Sequence, residues 1–299
     1  MRRSQVFLMA QASVAVLLIT TGFQPMPAPS FPLMRAQQLL ARLGYLPLRW
    51  QRLVTDSPVS LTQAWNAPPR GLWHWTPAPE AMHALWSPPG TPNLLTHGAL
   101  MTFQRVAGLP ATGTLTGSTC RALDVATHID QVDPHGNNFA LVNEYLGSLH
   151  PETLTLWHNG RVVLQTPVNT GITQAQTPFG TFPVYLRYRS QTMSGTTPWG
   201  TAYSDPGVPY VNYIDGGVAV HGFLRAAYGF PQSLGCIELP IPAAAQAWKY
   251  LHIGTLVTVA PNVSPGVVAI SDGVSPRPRP AHRSQPSALR AGSSQAQGG

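Results

Sequence analysis

The chain has 299 residues, long enough for two modest globular domains with length left for tails. Only 10% of the residues are charged and 43% are hydrophobic, with 31 Pro and 27 Gly, a composition that argues against a helical bundle and for a loop- and strand-rich protein. A formal charge of +7 favours acidic surfaces without choosing among nucleic acid, lipid and wall polymers, and two cysteines exclude a scaffold built on disulfides.

Arg2 and Arg3 precede an apolar run from Val6 to Ile19, closed by the small residues Thr20-Thr21-Gly22, which is the pattern of an export signal. Residues 1–23 are expected to be a signal peptide or, since the run extended to Phe23 approaches membrane-spanning length, an N-terminal membrane anchor. No Cys follows the run, which argues against a lipid anchor. Residues 24–32, rich in Pro, read as an extended spacer.

The first domain is expected over 33–126. Gln37 to Leu43 has apolar residues at helical spacing and Gly44 at the C-terminal cap. A second helix carries Phe103-Gln104 and ends at Gly108, and a third runs from about Ser118 to Val125. Cys120 sits at an apolar position of that third helix and reads as a small core residue. Between the first two helices, from Pro47 to Thr96, lies a stretch containing Trp50, Trp65, Trp73, Trp75 and Trp86. These indoles either pack onto the helices or form an aromatic platform for sugar rings.

From Phe139 short strands take over. Leu154 to Trp157 and Val162 to Gln165 flank His158-Asn159-Gly160, and an Asn-Gly pair between such runs predicts a tight hairpin. Further strands are expected at Phe182 to Tyr188, Val218 to Val220 and Leu256 to Val259. The second domain, 139–261, is therefore mainly β, and residues 262–299, rich in Pro, Ser, Ala and Arg, are expected to be disordered.

The chemistry concentrates in Val218-Ala219-Val220-His221-Gly222 and Ser233-Leu234-Gly235-Cys236-Ile237-Glu238. A strand delivers His221, and a second strand-like segment presents Cys236 fifteen residues later, a spacing that suits a loop returning to the neighbouring strand. An imidazole beside a thiol draws off its proton and leaves the nucleophilic thiolate. Gly235 allows close backbone approach, and the Cys236 amide is a natural oxyanion donor. One His and one Cys also fit a metal half-site or plain core positions, although no Cys-x-x-Cys or His-x-x-x-His cluster supplies further ligands. A disulfide between Cys120 and Cys236 stays open at this point.

These segments resemble the L,D-transpeptidase family (YkuD-type domain), whose motif is His-Gly, a loop, then Ser-His-Gly-Cys-hydrophobic-Arg or Asn. Supporting matches are Val168-Asn169-Thr170-Gly171, Thr177-Pro178-Phe179-Gly180-Thr181-Phe182 and Gly216-Gly217 before the His strand. Leu43-Gly44-Tyr45, Phe103-Gln104, Gly108-Leu109 and Gly113 resemble the three-helix peptidoglycan-binding domain, here with a long insertion. The resemblance implies a mainly β L,D-transpeptidase-like catalytic domain preceded by a small three-helix peptidoglycan-binding domain.

It further implies Cys236 as nucleophile, His221 as general base, and the Gly235–Cys236 backbone in the oxyanion hole. Ser233 either orients the loop or merely bonds local backbone, and Gly222 has a steric role. Tyr210 and Tyr213 are candidates for substrate contact or ordinary packing. Leu234 stands where most members have His, and Glu238 where many have Arg. Arg225 is either a replacement cation or an exposed surface residue.

The implied activity is 3-3 cross-linking of peptidoglycan stem peptides by an exported enzyme needing no metal or organic cofactor. Carboxypeptidase activity with water as acceptor, and an inactive wall-binding protein, are the alternatives. A nucleic-acid partner is not expected, because the basic residues are scattered or lie in the tails.

Overall fold

The computed structural model describes residues 30–53, 60–144 and 150–261. The expected export segment, the spacer up to residue 29 and the tail from 262 lie outside the described residues. Helix α1 spans Phe31–Arg42, beginning inside the stretch read as spacer, because Ser30 caps it by accepting from Leu33 N–H at 3.4 Å and a proline occupies its first turn. It ends as the sequence predicts: Gly44 takes φ +81° and Tyr45 N–H returns to the Leu40 carbonyl.

The Trp-rich insertion folds into strand β1 (Leu48–Arg52), helix α2 (Leu61–Asn66), strand β2 (Gly71–Trp75) and helix α3 (Glu80–His83). β1 and β2 pair antiparallel. Trp50, Trp65, Trp73, Trp75 and Trp86 are partly buried and pack against the helical core, which is the packing alternative for these residues. Helix α4 (Leu94–Val106) is capped by Asn93, which accepts from Thr96 N–H at 2.8 Å, and α5 (Gly117–His128) by Thr116.

Two sheets follow. Strands β3 (Asn138–Glu144), β4 (Thr153–His158), β5 (Arg161–Pro167), β6 (Gly180–Pro183) and β11 (Leu256–Pro261) form a five-stranded sheet in the order β5-β4-β3-β11-β6. Strands β7 (Leu186–Thr196), β8 (Ala202–Asp215), β9 (Val218–Gly222) and β10 (Ile237–Leu239) form a four-stranded sheet in the order β10-β9-β8-β7. The predicted hairpin joins β4 to β5, with Asn159 at φ +50° and Gly160 at φ +77°. The single strand expected from Phe182 to Tyr188 is instead divided between the sheets. Its break falls at Val184, which is fully buried and donates its N–H to the Thr255 carbonyl.

Ala140, Val142, Leu154, Leu156 and Val257 from the first sheet share a buried cluster with Val220, Ile237 and Leu239 from the second. Helix α6 (Ile241–Ala247) adds Ala244 and Ala247 to it. The helical region and the sheets are not separated by a solvated boundary, since Phe139 and Leu256 belong to the same cluster as Leu39, Leu100 and Phe103. The described residues therefore belong to one compact unit.

Gly98 of α4 and Gly254 before β11 make the seam possible. A Cβ on Gly98 would lie 2.5 Å from the Gly254 carbonyl oxygen. Overpacking of this kind costs about 1–3 kcal/mol, against about 1 kcal/mol gained from alanine's better helix propensity. Gly98→Ala is expected to lower unfolding free energy by about 1–2 kcal/mol in urea titration, with helix and sheet signals still moving together. Unchanged stability would show that this contact does not join the two regions.

Candidate active site

Alternation along two short strands builds the site. In β9 and β10, Val220, Ile237 and Leu239 point into the core between the sheets. Ala219 and His221 on β9, and Cys236 and Glu238 at β10, occupy the alternate positions and so share the opposite face. The strands run parallel, with Glu238 opposite His221. Parallel neighbours need a long crossover, and residues 223–236 supply it while carrying both Arg225 and the nucleophile loop.

His221 and Cys236 line one cavity of about 440 Å³, with Met193, Tyr203, Asp205 and Val208 from the β7–β8 ribbon forming another part of its wall. His221 is 3% exposed, and its Nδ1 lies 3.0 Å from the Gly222 carbonyl oxygen. A carbonyl only accepts, so Nδ1 carries the proton and Nε2 keeps its lone pair for a base. Burial lowers the His221 pKa, with the Gly222 bond acting against it, which keeps the imidazole neutral. Cys236 is a partly exposed free thiol whose Sγ lies 3.8 Å from the Gly217 carbonyl oxygen. Burial of the sulfur pushes its pKa up to about 11. The Ala219 backbone N–H opposes the rise and the Glu238 carboxylate adds to it. The resting pair is therefore thiol and neutral imidazole. Cys120 is likewise a free thiol, on α5.

The nucleophile loop is held from two sides. Ser233 Oγ donates to the Cys236 carbonyl at 2.5 Å and accepts from Gly235 N–H at 3.1 Å, so its bonds to local backbone are what shape the loop. Gly235 has φ +108°, a conformation that favours glycine, and its carbonyl accepts from Thr177 Oγ1 at 3.0 Å. Thr177 in turn accepts from Gly171 N–H at 2.9 Å, tying together the Asn-Thr-Gly and Thr-Pro segments. Glu152, which sequence reasoning missed, is fully buried and accepts from both Thr170 N–H and Thr170 Oγ1 at 2.7 Å. A lone acid beside an apolar strand in an acid-poor chain was the available signal. A Cβ on Gly222 would lie 3.1 Å from both Ala244 and Pro209.

Tyr213, Phe223 and Cys236 each pack against the buried cluster of Val208, Val211 and Ala219, and the Tyr213 hydroxyl donates to Gln191 at 3.1 Å. Tyr210 does not join it. Its ring lies against Trp248 with centroids 6.1 Å apart, and neither of these two tyrosines is among the described residues that line the cavity. Arg225 is neither a bare surface residue nor a free cation. Its Nε and Nη2 donate to the two carboxylate oxygens of Glu238 at 2.7 and 2.8 Å, and it lines the cavity. Among the described residues no group of three or more His, Cys, Asp or Glu could hold a metal ion.

Residues 144–259 match the YkuD family model, the L,D-transpeptidase catalytic domain. None of the curated proteins matches the chain. Among solved structures, an L,D-transpeptidase from Mycobacterium smegmatis is similar at 23% identity, over 41% of this chain and 59% of that one, with a TM-score of 0.35. L,D-transpeptidase 3 from Mycobacterium tuberculosis, bearing a faropenem-derived adduct, aligns at 24% identity over 41% and 60% of the two chains, TM-score 0.35. The catalytic domain of the E. faecium L,D-transpeptidase acylated by ertapenem aligns at 27% identity over 42% and 97%, TM-score 0.36. The chain thus spans less than two thirds of the two mycobacterial proteins.

Proposed function

We propose that the protein, whose residues 144–259 match the L,D-transpeptidase catalytic domain, cross-links peptidoglycan stem peptides outside the cytoplasmic membrane through a Cys236 thioester. The observation that carries the reading is a free thiol and a neutral imidazole, its Nδ1 tied to backbone, on one sheet face and lining one cavity.

His221 Nε2 takes the thiol proton as Cys236 Sγ attacks the carbonyl of the third stem-peptide residue. Gly235 N–H is engaged by Ser233, so we assign the Cys236 amide as the oxyanion donor from this pair. The tetrahedral intermediate collapses as the imidazolium protonates the leaving amine of the terminal D-Ala, which leaves a thioester. A side-chain amine of a neighbouring stem then attacks the thioester, gives its proton to His221 and forms the 3-3 cross-link. The thiolate departs and is reprotonated. Water in place of the amine makes the same site a carboxypeptidase. The helical region, carrying the Leu-Gly-Tyr and Phe-Gln segments, is proposed to hold the wall polymer.

Intact-mass measurement after incubation with ertapenem tests the nucleophile. One adduct is expected on the wild-type chain and none on Cys236→Ser. An adduct that survives Cys236→Ser, or none on folded wild-type protein, would overturn the assignment. Muropeptide analysis after incubation with sacculi then separates 3-3 cross-links from trimmed stems, and an unchanged profile alongside sedimentation would identify a binding protein instead.

A further inference from the structure

A second cavity, of about 490 Å³, lies where α4 meets β7 and the segment between α6 and β11. Arg105, Arg187, Arg189, His135 and His252 line it together with Trp248, and no Asp or Glu is among its described lining residues. Arg187 is fixed in place. Its Cζ sits 3.7 Å from the Trp248 ring centroid, Nη2 donates to the Trp248 carbonyl at 2.6 Å, and Nε donates to Asn212 at 2.9 Å. The imidazoles of His135 and His252 stack with centroids 3.8 Å apart.

The electrostatics agree with a cationic pocket that lacks a counter-ion. Burial brings Arg187 down to about 10. Burial, then His135 and Arg187, bring His252 down to about 4. A half-buried guanidinium held by a carbonyl, an amide and the His252 Nδ1 at 3.5 Å, with no carboxylate beside it, is costly unless an anion arrives from outside. Guanidinium forks bind pairs of carboxylate or phosphate oxygens in two-point fashion, and three of them around one space match a dianion better than a single carboxylate.

We propose that this cavity is an anion-binding site for a phosphate group carried on a sugar or polyol. Its volume exceeds what a bare phosphate needs, and the stacked imidazoles and Trp248 line the remaining space. The site does not include Cys236 or His221, which line the other cavity, so it stands or falls independently of the thiol chemistry.

The test is a ¹⁵N–¹H titration of the full chain with inorganic phosphate, glycerol 1-phosphate and acetate at matched ionic strength. Saturable shifts are expected at the Trp248 indole and the Thr102 and Ile253 amides, with glycerol 1-phosphate binding more tightly than inorganic phosphate and acetate more weakly than either. Arg105→Gln/Arg189→Gln alters two exposed side chains, so the fold is retained. It is expected to weaken glycerol 1-phosphate binding at least tenfold while leaving the rate of ertapenem acylation at Cys236 unchanged. Equal binding by wild type and double variant, equal binding of acetate, or no saturable shift with either phosphate probe would overturn the site. Inorganic phosphate binding with glycerol 1-phosphate excluded would overturn the carried-group assignment.

Discussion

His221→Ala is expected to slow acylation of Cys236 by about 10²–10⁴-fold at pH 7, the usual contribution of a positioned general base. With the thiol pushed up to about 11, only about one molecule in ten thousand carries a spontaneous thiolate at pH 7, so almost all attack in the wild type depends on proton transfer during the reaction. The wild-type rate should rise with pH as the imidazole loses its proton, and the midpoint of that rise lies below the ordinary histidine value because burial lowers the His221 pKa. It should then hold level through neutral pH. The variant has no such plateau. Its rate should climb about tenfold per pH unit up to the thiol pKa, following the thiolate fraction. Stopped-flow acylation by ertapenem from pH 5 to 10 reads both profiles. A variant that keeps the wild-type plateau would remove His221 from the role of base.

Much of this site is legible in the sequence because it rests on a period of two. Val218-Ala219-Val220-His221 and Cys236-Ile237-Glu238-Leu239 alternate between core and cavity, and that alternation alone puts the thiol, the imidazole and the Glu238 carboxylate on one face once the strands pair. The Asn159-Gly160 hairpin is legible for an equally local reason, the positive φ that its turn demands.

What escapes local reading depends on the path of loops and on distant surfaces. Tyr203 and Asp205 reach the cavity from the β7–β8 ribbon, on the far side of the His strand in sequence. Tyr210 reads equally as a substrate contact or a packing residue by its position before that strand, and its φ of +59° and its ring contact with Trp248 are not visible in the sequence. The helical region looks separable because its helices have their own apolar faces. The glycine-to-glycine approach of α4 to the segment before β11 becomes visible only in three dimensions. Arg225 and Glu238 are the clearest case. Taken singly, one looks like a surface cation and the other like an anion in an unfavourable place, whereas together they form a two-point ion pair across the crossover loop.

That pairing makes Arg225→Met the substitution with the largest expected cost in stability. The Glu238 side chain is only 6% exposed, and removing its partner leaves a carboxylate in the cavity wall without the guanidinium that holds both oxygens. Breaking a buried pair from one side costs about 3–5 kcal/mol. Because Arg225 is 30% exposed, water shares the site and the lower end, about 3 kcal/mol, applies. Glu238→Gln should cost less, since the stranded guanidinium is the more exposed partner and keeps an amide oxygen to donate to. Arg225→Met/Glu238→Leu should recover most of the deficit, as apolar replacement of a buried pair is commonly neutral or better. In both variants lacking the carboxylate the thiol pKa should fall, because the Glu238 anion contributes to its rise. Urea unfolding at pH 7 with a parallel thiol titration measures the four proteins. An Arg225→Met unfolding free energy within about 0.5 kcal/mol of wild type, the range of ordinary surface substitutions, would show that water alone suffices for Glu238. The pair would then be incidental to the loop that presents Cys236.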